Sequence, residues 1–374
     1  MKQPQVIIIG GGLAGLTAAI HLASANMKVR LYEKEIYPHH KVCGEYLSKE
    51  VLPYLKILGI DLLLSKPAEI DQLNFSDHKG SQIRTVLPLG GIGISRYELD
   101  YLLYLEALKH GVEVCHDSVK GVEFNDNRFQ VRGSRAGICS SEFVLGAYGK
   151  RSLIDKKLGR KFISQKSGWL AVKGHYINNN FPIDTVSLHN FKGGYCGLSK
   201  TETGAVNVCY LASYKSFKKY KNTDEYKKQV LLQNIHLREF FINSTPAFSR
   251  DLSIAQISFE RKQQVHDHVI MIGDAAGLIH PLCGNGMAMA IHSAKIASEC
   301  ILANYNGGDF NRKIIERSYI VQWKKNFNSR IRMGRLLQSI LLDQRLANFS
   351  QMLINRFPFL LPAIIKRTHG TRLI

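Results

Sequence analysis

The first pattern of apolar and glycine positions predicts a strand, a tight turn and a helix. It lies in the segment "VIIIGGGLAGLTAAIHL" (6–22). Residues 5–9 are mostly apolar and β-branched, as is typical of a buried parallel strand, and residues 13–25 repeat apolar positions at helical spacing. "KVRLYEK" (28–34) then predicts a second strand. Together these segments predict one strand–turn–helix–strand unit.

Three later patterns predict the rest of the architecture. Residues 268–299 combine an apolar strand, a run of small residues and a helix that opens at two glycines. Residues 186–200 and 205–214 have the apolar and aromatic character of strands in an antiparallel sheet. Residues 331–370 alternate basic and apolar positions with a roughly helical period. We therefore predict an α/β protein with a parallel sheet, a second, mainly antiparallel sheet and a helical C-terminal segment.

The glycines of the first unit are spaced as a dinucleotide-binding turn requires. Gly10 permits the tight turn, Gly12 lets the backbone approach a pyrophosphate, and Gly15 lets the helix pack closely on the strand. Glu33 lies 18 positions beyond Gly15, where a carboxylate can accept hydrogen bonds from an unphosphorylated ribose. A glycine-rich packing turn without a ligand is the alternative. The predicted binding segment also includes Leu13, Ala14 and Lys34.

The second glycine-containing segment supplies a further set of cofactor candidates. An aspartate at the end of a strand can bond a ribityl hydroxyl, and a helix that begins at glycines can face a phosphate or the flavin ring. Alone, the same pattern also fits a strand that is followed by an ordinary capped helix. The candidates are Gly273, Asp274, Pro281, Gly284, Gly286 and Met287.

The charge balance is strongly basic. Fifty Lys and Arg face 30 Asp and Glu among 374 residues, a formal net charge of +20. Such an excess attracts phosphorylated cofactors, acidic membranes or nucleic acid. No motif of a nucleic-acid-binding module accompanies it, so we expect no nucleic-acid partner. The Lys-rich segment 213–230 is interpreted as a solvated helix face, with docking to an acidic partner as the alternative.

The seven cysteines are odd in number and widely spaced, without zinc-ligand spacing. We therefore expect no disulfide framework, no metal site and a reduced, cytoplasmic protein. A secretory signal at the N-terminus is disfavoured because three glycines interrupt its apolar run. The basic C-terminal segment is interpreted as a helix on the core; its alternative is an amphipathic element that contacts a membrane or a lipid-like substrate.

Four further motifs, together with the two glycine segments, give the chain a family resemblance. The segments are "HKVCGEYLS" (40–48), "ISRYELDYLL" (94–103), "VLGAYGKRS" (144–152) and "KGGYCGLSK" (192–200). The sequence resembles the FAD-dependent superfamily of para-hydroxybenzoate hydroxylase-type monooxygenases, geranylgeranyl reductases and flavin halogenases. The resemblance runs from residue 6 to about residue 300. It implies FAD as the cofactor and contacts to it from Lys41, Cys43, Gly44, Arg96 and Gly149.

The departures from the family pattern are specific. Tyr148 stands where the family carries an aspartate, which leaves that carboxylate's contribution in question. Segment 192–200 lacks the tryptophan of typical geranylgeranyl reductases, and the halogenase Trp-x-Trp-x-Ile-Pro signature is absent. A second glycine-rich dinucleotide motif is also missing, so we expect NADH or NADPH to visit the flavin only transiently.

The resemblance implies a discontinuous Rossmann-like FAD-binding domain, built from residues 1–75, 95–160 and 255–310. A substrate domain on a mainly antiparallel sheet is expected from residues 76–94 and 161–254. Residues 311–374 complete the chain as the helical C-terminal segment.

Three functions are compatible with these motifs. We favour a monooxygenase that hydroxylates a hydrophobic aromatic or polyketide-like molecule through a C4a-hydroperoxyflavin. Saturation of isoprenoid double bonds, as in geranylgeranyl reductases, is the second hypothesis, and a non-catalytic FAD-binding redox sensor is the third. Cys43, Glu45, Tyr195 and Cys283 are the candidate pocket residues, although buried cysteines and strand tyrosines are often plain core residues. The oligomeric state stays open.

Overall fold

A computed structural model describes residues 3–165, 167–342, 344–357 and 359–374. In chain order, the strands are β1 (Val6–Ile9), β2 (Val29–Tyr32), β3 (Tyr46–Ser48), β4 (Ala68–Ser76), β5 (Gln82–Gly93), β6 (Glu113–Cys115), β7 (Val119–Asn125), β8 (Arg128–Gly133), β9 (Ile138–Ser141), β10 (Phe143–Gly146), β11 (Trp169–Ile177), β12 (Thr185–Phe191), β13 (Gly194–Lys200), β14 (Val206–Ser213), β15 (Thr245–Pro246), β16 (Leu252–Ala255), β17 (Val265–His266), β18 (Val269–Met271), β19 (Tyr305–Asn306) and β20 (Asp309–Phe310).

The helices lie mainly in the first third and the last quarter of the chain. In order they are α1 (Leu13–Ser24), α2 (Leu52–Ile57), α3 (Arg96–Lys109), α4 (Leu153–Lys157), α5 (Tyr214–Phe217), α6 (Thr223–Gln229), α7 (Ile235–Ile242), α8 (Gly286–Leu302), α9 (Arg312–Leu342), α10 (Gln344–Arg356) and α11 (Leu360–Thr368).

The first sheet confirms the predicted Rossmann-like arrangement. Its strand order is β17-β18-β10-β1-β2-β6, with parallel pairing from β18 to β6 and an antiparallel β17 at one edge. All four residues of β1 are buried because helices cover the sheet, as an all-parallel pairing requires. Helices α3 and α8 both pack on α1. The carboxyl ends of β1, β10 and β18 therefore meet at one edge, where the glycine segments begin.

The second sheet is the predicted, mainly antiparallel one. It runs β15-β11-β14-β13-β12-β4-β5-β3, with β16 also paired to β11, and β4–β12 is its parallel pair. Strand β4 differs from the expected boundary, since residues up to 75 were assigned to the FAD-binding part. Its apolar positions alternate, so that one face of the strand packs Ile70 and Leu73 with Tyr46 and Leu87 of the same sheet, while the other face is more exposed.

A small antiparallel sheet, β7-β8-β9, lies within the expected FAD-binding part and was not predicted. Its strand β8 alternates exposed and buried residues, so one face packs on the main core through Phe129 and Val131. The sheet thus extends the first domain beyond its parallel strands without adding to the glycine edge.

The C-terminal segment is helical, as predicted, and is fixed to the body at several points. The buried Glu50 carboxylate pairs with Arg330 of α9 at 3.3 Å and accepts the amide of Gly370. Asn285, just before α8, donates to the carbonyl of Thr368 at 2.9 Å. Helices α9, α10 and α11 are thereby held over the space between the two sheets. Among the residues that the structure describes, no helix is both long and apolar enough to cross a membrane.

Candidate active site

A cavity of about 1410 Å³ joins the glycine edge of the parallel sheet to the face of the second sheet. One end is formed by the turns after β1, β10 and β18 and by the start of α8. The other end is formed by strands β4, β5, β12, β13 and β14 and is closed by α9, α10 and α11. We call these the cofactor end and the substrate end. A cavity of this size exceeds what one drug-sized ligand needs, so it can hold a dinucleotide and a second molecule together.

The glycine turn after β1 is shaped by backbone contacts. Gly10 has a φ of +107°, and a Cβ there would lie 2.5 Å from the carbonyl oxygen of Ala147. A Cβ on Gly15 would overlap the carbonyl oxygen of Gly10. Gly15 therefore allows the close packing that the spacing predicted, and among the predicted cofactor residues it alone does not line the cavity.

The beginning of α1 offers backbone amides and nearby cations to a bound anion. Gly12 precedes the helix, and no side chain of the described residues caps its first turn. A Cβ on Gly12 would lie 3.6 Å from Arg96 Nη2 and 4.0 Å from Lys41 Nζ. Arg96 forms a bidentate salt bridge with Asp100 (2.7 and 2.8 Å), and the Lys41 ammonium lies 2.9 Å from the same carboxylate. Two cations and one anion leave a net positive charge beside the helix N-terminus.

Burial and charge together fix the ionisation of this group. Burial alone would raise the pKa of Asp100, but the adjacent Arg96 and Lys41 lower that pKa below its ordinary value. The carboxylate therefore stays ionised at neutral pH and holds both cations in place. This preorganised positive site fits the pyrophosphate of a dinucleotide.

Glu33 stands at the end of β2, where the sequence placed it. Its two carboxylate oxygens accept the amides of Gly11 at 2.8 Å and Glu35 at 3.1 Å. A carboxylate has about four lone-pair sites, so acceptor capacity remains for ribose hydroxyls. The side chain lines the cavity, and its contact with a ribose stays a prediction.

The segment after β18 closes the cofactor end from the opposite side. Gly273 has a φ of +60°, and Asp274 follows it on the cavity wall. The Lys262 ammonium donates to the Asp274 carbonyl at 2.8 Å, which fixes the turn. Among the described residues no side chain caps the first turn of α8, which begins at Gly286. A second helix N-terminus thus faces the cavity.

Tyr148, which replaces the family's aspartate, also lines the cofactor end. Its hydroxyl donates to Met271 Sδ at 3.0 Å. Burial raises the pKa of Tyr148, so the ring stays neutral. The replacement therefore exchanges a negative charge for a neutral, packed side chain next to Gly149.

A buried ionic cluster lies between the two ends of the cavity. Glu45 is fully buried, and its Oε1 accepts the Lys173 ammonium at 2.5 Å and the Arg96 amide at 2.7 Å. Its Oε2 is 2.7 Å from His175 Nε2. Glu45 has a φ of +53°, a strained conformation for a residue with a side chain. The contacts from β11 compensate for that strain and fix the 41–45 loop against the second sheet.

Burial and neighbouring charges set the ionisation of Glu45 and His40. Burial alone would raise the pKa of Glu45, but the hydrogen bond from His175 and the charge of Lys173 lower it below its ordinary value. His40, whose ring lies 5.4 Å from that of His175, has its pKa lowered to about 4, first by burial and then by the Lys173 charge. His40 is therefore neutral at pH 7, and the ionised Glu45 is matched to Lys173.

The two predicted cysteines and Tyr195 all line the cavity. The Sγ of Cys43 accepts the Glu45 amide at 3.5 Å. Burial raises the pKa of Cys283 to about 12 and that of Tyr195 well above its ordinary value. Cys283 and Tyr195 therefore remain protonated at neutral pH, so they can shape the pocket or donate a hydrogen bond but are not poised as anions.

The substrate end is predominantly apolar. One wall comes from the second sheet and the other from the C-terminal helices. The apolar lining residues include Leu73, Phe75, Leu87, Val186, Leu188, Tyr195, Leu198, Leu337, Ile340, Ile354, Leu361, Ile364 and Ile365. Such a lining fits a hydrophobic molecule.

Apart from Gly15, the cavity brings together every predicted site residue. Its wall includes Gly10, Gly12, Leu13, Ala14, Glu33, Lys34, Lys41, Cys43, Gly44, Glu45, Arg96, Gly149, Tyr195, Gly273, Asp274, Pro281, Cys283, Gly284, Gly286 and Met287. Sequence reasoning missed Asp100, Lys173 and His175. A signal for the last two was present, because "WLAVKGHYI" (169–177) places a lysine and a histidine two apart in an apolar strand. In the described part of the chain, no group of three or more His, Cys, Asp or Glu side chains could hold a metal ion.

Comparison with known proteins identifies the cofactor. A family model described as "FAD binding domain" matches residues 3–312. The chain is 24% identical over 398 residues to the 1H-pyrrole-2-carbonyl-[peptidyl-carrier protein] chlorinase of Pseudomonas fluorescens (91% of this chain, 86% of that protein). It is 20% identical to a 6-hydroxynicotinate 3-monooxygenase of Pseudomonas fluorescens (80% and 83%). A digeranylgeranylglycerophospholipid reductase of Methanothermobacter thermautotrophicus is 24% identical (90% and 87%).

A solved structure shows the same fold. The flavin-dependent brominase Bmp2 superposes with a TM-score of 0.79 at 18% identity, over 98% of this chain and 93% of that one. The superposition covers the parallel sheet, the second sheet and the C-terminal helices alike.

Proposed function

Because the chain belongs to the FAD binding domain family and is an FAD-dependent oxidoreductase, we propose that it hydroxylates a hydrophobic small molecule with molecular oxygen. The observation that carries the proposal is the cavity itself. A charged, backbone-lined cofactor end and an apolar chamber both belong to this one cavity. A reduced flavin supplies the oxygen chemistry when it is bound, so the protein needs few acid–base groups of its own.

The residues of the cofactor end fit FAD. The amides at the start of α1, together with Arg96 and Lys41, would hold the pyrophosphate. Glu33 would accept the ribose hydroxyls, and Asp274 with the start of α8 would meet the ribityl and ring portions. The net positive charge that Asp100 organises balances part of the pyrophosphate charge.

The Glu45 cluster and the C-terminal helices would act on the substrate side. The Glu45–Lys173 pair fixes the 41–45 loop, and with it the Cys43 and Gly44 backbone on the cavity wall. Cys43, Glu45, Tyr195 and Cys283 would line the reacting region. Helices α10 and α11 would exclude water from the chamber, which would limit side reactions with solvent.

The proposed reaction needs NADH or NADPH as a transient reductant. Written in full, R–H, O₂, NAD(P)H and H⁺ give R–OH, H₂O and NAD(P)⁺. The two electrons of the nicotinamide and the two of the C–H bond together reduce one O₂, one oxygen atom going to the product and the other to water. The 6-hydroxynicotinate 3-monooxygenase relative supports this reaction type.

Halogenation is a second candidate, and one observation favours it. The pyrrolyl chlorinase relative aligns with 91% of this chain, and the brominase Bmp2 shares its fold through the C-terminal helices. The missing Trp-x-Trp-x-Ile-Pro signature argues in the other direction. Double-bond reduction, supported by the phospholipid reductase relative and by "KVCGE" (41–45), is a third. A non-catalytic redox sensor remains the alternative from outside the enzyme class.

One experiment separates these candidates. The purified holoprotein is reduced anaerobically with NADH or NADPH and mixed with a panel of hydrophobic aromatic and prenyl compounds, with and without chloride or bromide. Samples are taken before and after oxygen is admitted. Products are analysed by mass spectrometry with ¹⁸O₂. The Gly12→Val variant, which we expect to lack flavin, is the background control.

Each outcome has a distinct reading. Incorporation of one ¹⁸O atom into an organic product without a halide requirement supports the hydroxylase. A halide-dependent exchange of hydrogen for halogen in the product would assign halogenase activity in place of hydroxylase activity. A gain of two hydrogens by a compound before oxygen is admitted would assign a reductase. Conversion of none of the compounds would favour the sensor.

A further inference from the structure

Helices α10 and α11 and the residues next to them expose several large apolar side chains to solvent. Phe349 and Met352 of α10 are 53% and 58% exposed, and Phe359, just before α11, is 68% exposed. Leu346 and Phe357 extend the same surface at 48% and 44%. Isolated exposed apolar residues are common, but a group of five within fourteen positions marks an interaction surface. We call these five residues the outer patch.

The inner side of the same helices already has a role. Ile354, Leu361, Ile364 and Ile365 line the substrate end of the cavity. Helices α10 and α11 are strongly amphipathic. The apolar face of these helices is wider than the part that lines the cavity. Its exposed remainder, together with Phe357 and Phe359 between the helices, forms the outer patch.

The charge around the outer patch has one sign. Residues 317–374 contain eleven Lys and Arg but a single acidic residue, Asp343, so this segment carries half of the chain's net charge of +20. Arg356 is exposed on α10, Lys366 and Arg367 are exposed on α11, and Arg372 is exposed after it. No acidic residue occurs between 344 and 374. Apolar side chains bordered by cations match the boundary between the headgroups and acyl chains of an anionic bilayer.

We propose that the outer patch and its surrounding cations dock the protein on the surface of an anionic lipid bilayer. The aromatic and methionine side chains would enter the headgroup region, while Lys366 and Arg367 would meet the lipid phosphates. Because α10 and α11 separate this surface from the substrate end, docking would bring the apolar chamber next to the bilayer. The inference does not depend on which reaction the flavin supports.

The test is co-sedimentation of the FAD-loaded protein with two kinds of vesicle. One kind is phosphatidylcholine alone, and the other is phosphatidylcholine with phosphatidylglycerol at about two to one. We expect binding to the anionic vesicles that weakens as salt is added. The double variant Phe349→Ser/Phe359→Ser should lower the partition coefficient by at least about tenfold, because two exposed rings no longer enter the bilayer. Lys366→Glu/Arg367→Glu should lower it as well.

A matched control carries the same number of substitutions elsewhere. Ile57 and Ile242 are 66% and 73% exposed on α2 and α7. The variant Ile57→Ser/Ile242→Ser therefore removes a comparable apolar exposure outside the patch and should bind vesicles like the parent. Flavin absorbance and thermal unfolding verify that every variant is folded.

Three results would overturn the proposal. If the Phe349→Ser/Phe359→Ser variant binds as tightly as the parent, binding reflects diffuse positive charge. If the parent binds neither vesicle, the patch serves another partner, such as an acidic protein. If the parent self-associates in sedimentation velocity without lipid and the two serines abolish that, the patch belongs to a second copy of the chain.

Discussion

The two ends of the cavity are built in different ways. The cofactor end uses backbone amides, glycine turns and the Arg96–Asp100–Lys41 group, and most of it comes from short contiguous segments. The substrate end is made of side chains from the second sheet and from three helices, which are far apart in sequence. A ligand that is bound by backbone atoms depends strongly on a few residues that shape the backbone. A ligand that is bound by packed side chains depends weakly on each of many residues. The cofactor end should therefore fail through single substitutions, and the substrate end should respond gradually.

The strongest test of this contrast is Gly12→Val. A branched side chain there would occupy the space between the helix start and the Arg96 and Lys41 side chains, where the pyrophosphate is expected. We expect the variant to be purified without FAD, a loss of roughly 4 kcal/mol or more of binding free energy, about a thousandfold. The measurement is flavin absorbance per protein, followed by titration with FAD.

Gly121→Val is the control, because a Cβ on Gly121 meets no atom within 4 Å and its φ is not positive. It should keep a full complement of flavin. Full FAD occupancy in Gly12→Val would show that the pyrophosphate lies elsewhere.

The Glu45 cluster connects the 41–45 loop to β11. Substitutions in this cluster should lower the free energy of unfolding. Lys173→Met leaves the Glu45 carboxylate buried without its cation, and breaking a buried pair in this way costs about 3 kcal/mol. Urea titration of the free energy of unfolding measures it. The double variant Glu45→Gln/Lys173→Met removes both charges and should recover part of the loss. A fully additive double variant would mean that the pair is not coupled.

The same cluster predicts a pH dependence with a definite sign. The pKa of Glu45 is lower in the folded protein than its ordinary value of 4.5. The ionised form therefore stabilises the fold fully above pH 4.5, and this contribution is lost as the pH falls through the folded-state pKa. The stability difference between the parent and Glu45→Gln should shrink on acidification below pH 4.5. A difference that is constant with pH would contradict the ionised pair.

The cofactor end was predictable because its signals are local. Gly10 and Gly15 must be glycines for reasons of backbone geometry, and Gly12 keeps the space beside the helix start open, so the spacing of the three indicates the turn and the helix that follows. The end of an apolar strand located Gly273, and the start of a helix located Gly286. In each case the constraint and its sequence signal lie within a few residues of each other.

The Glu45 cluster was not predictable in the same way. The "KVCGE" resemblance pointed to Glu45, but its partners Lys173 and His175 are about 130 positions away. Glu45 directly precedes β3, whereas its partners lie on β11, and these strands are near opposite ends of the strand order of the second sheet. Only the three-dimensional fold brings them together. The assignment of β4 differed for the same reason, because its parallel partner β12 lies more than a hundred residues later.

At the substrate end we expect a selective and smaller effect. Gly197 lies on β13 in the cavity wall, and a Cβ there would be 3.4 Å from Leu188 Cδ2, so a side chain can be added without a backbone clash. Gly197→Leu should fill part of the chamber and raise the KM for a hydrophobic substrate by about tenfold, or roughly 1.4 kcal/mol. FAD occupancy should not change. A loss of flavin in this variant would mean that the two ends are not separable.

The smallest effect should come from Tyr148, the residue that departs from the family pattern. Tyr148→Phe removes one hydrogen bond to a sulfur, which is a weak acceptor, and leaves the ring packed. We expect a change in the free energy of unfolding of at most about 1 kcal/mol and an unchanged affinity for FAD. Thermal unfolding and FAD titration measure the two quantities, with Tyr97→Phe on the exposed side of α3 as the control. If Tyr148→Phe weakened FAD binding tenfold, its hydroxyl would be a cofactor ligand, and the cofactor end would depend on a side chain where we infer that the backbone suffices.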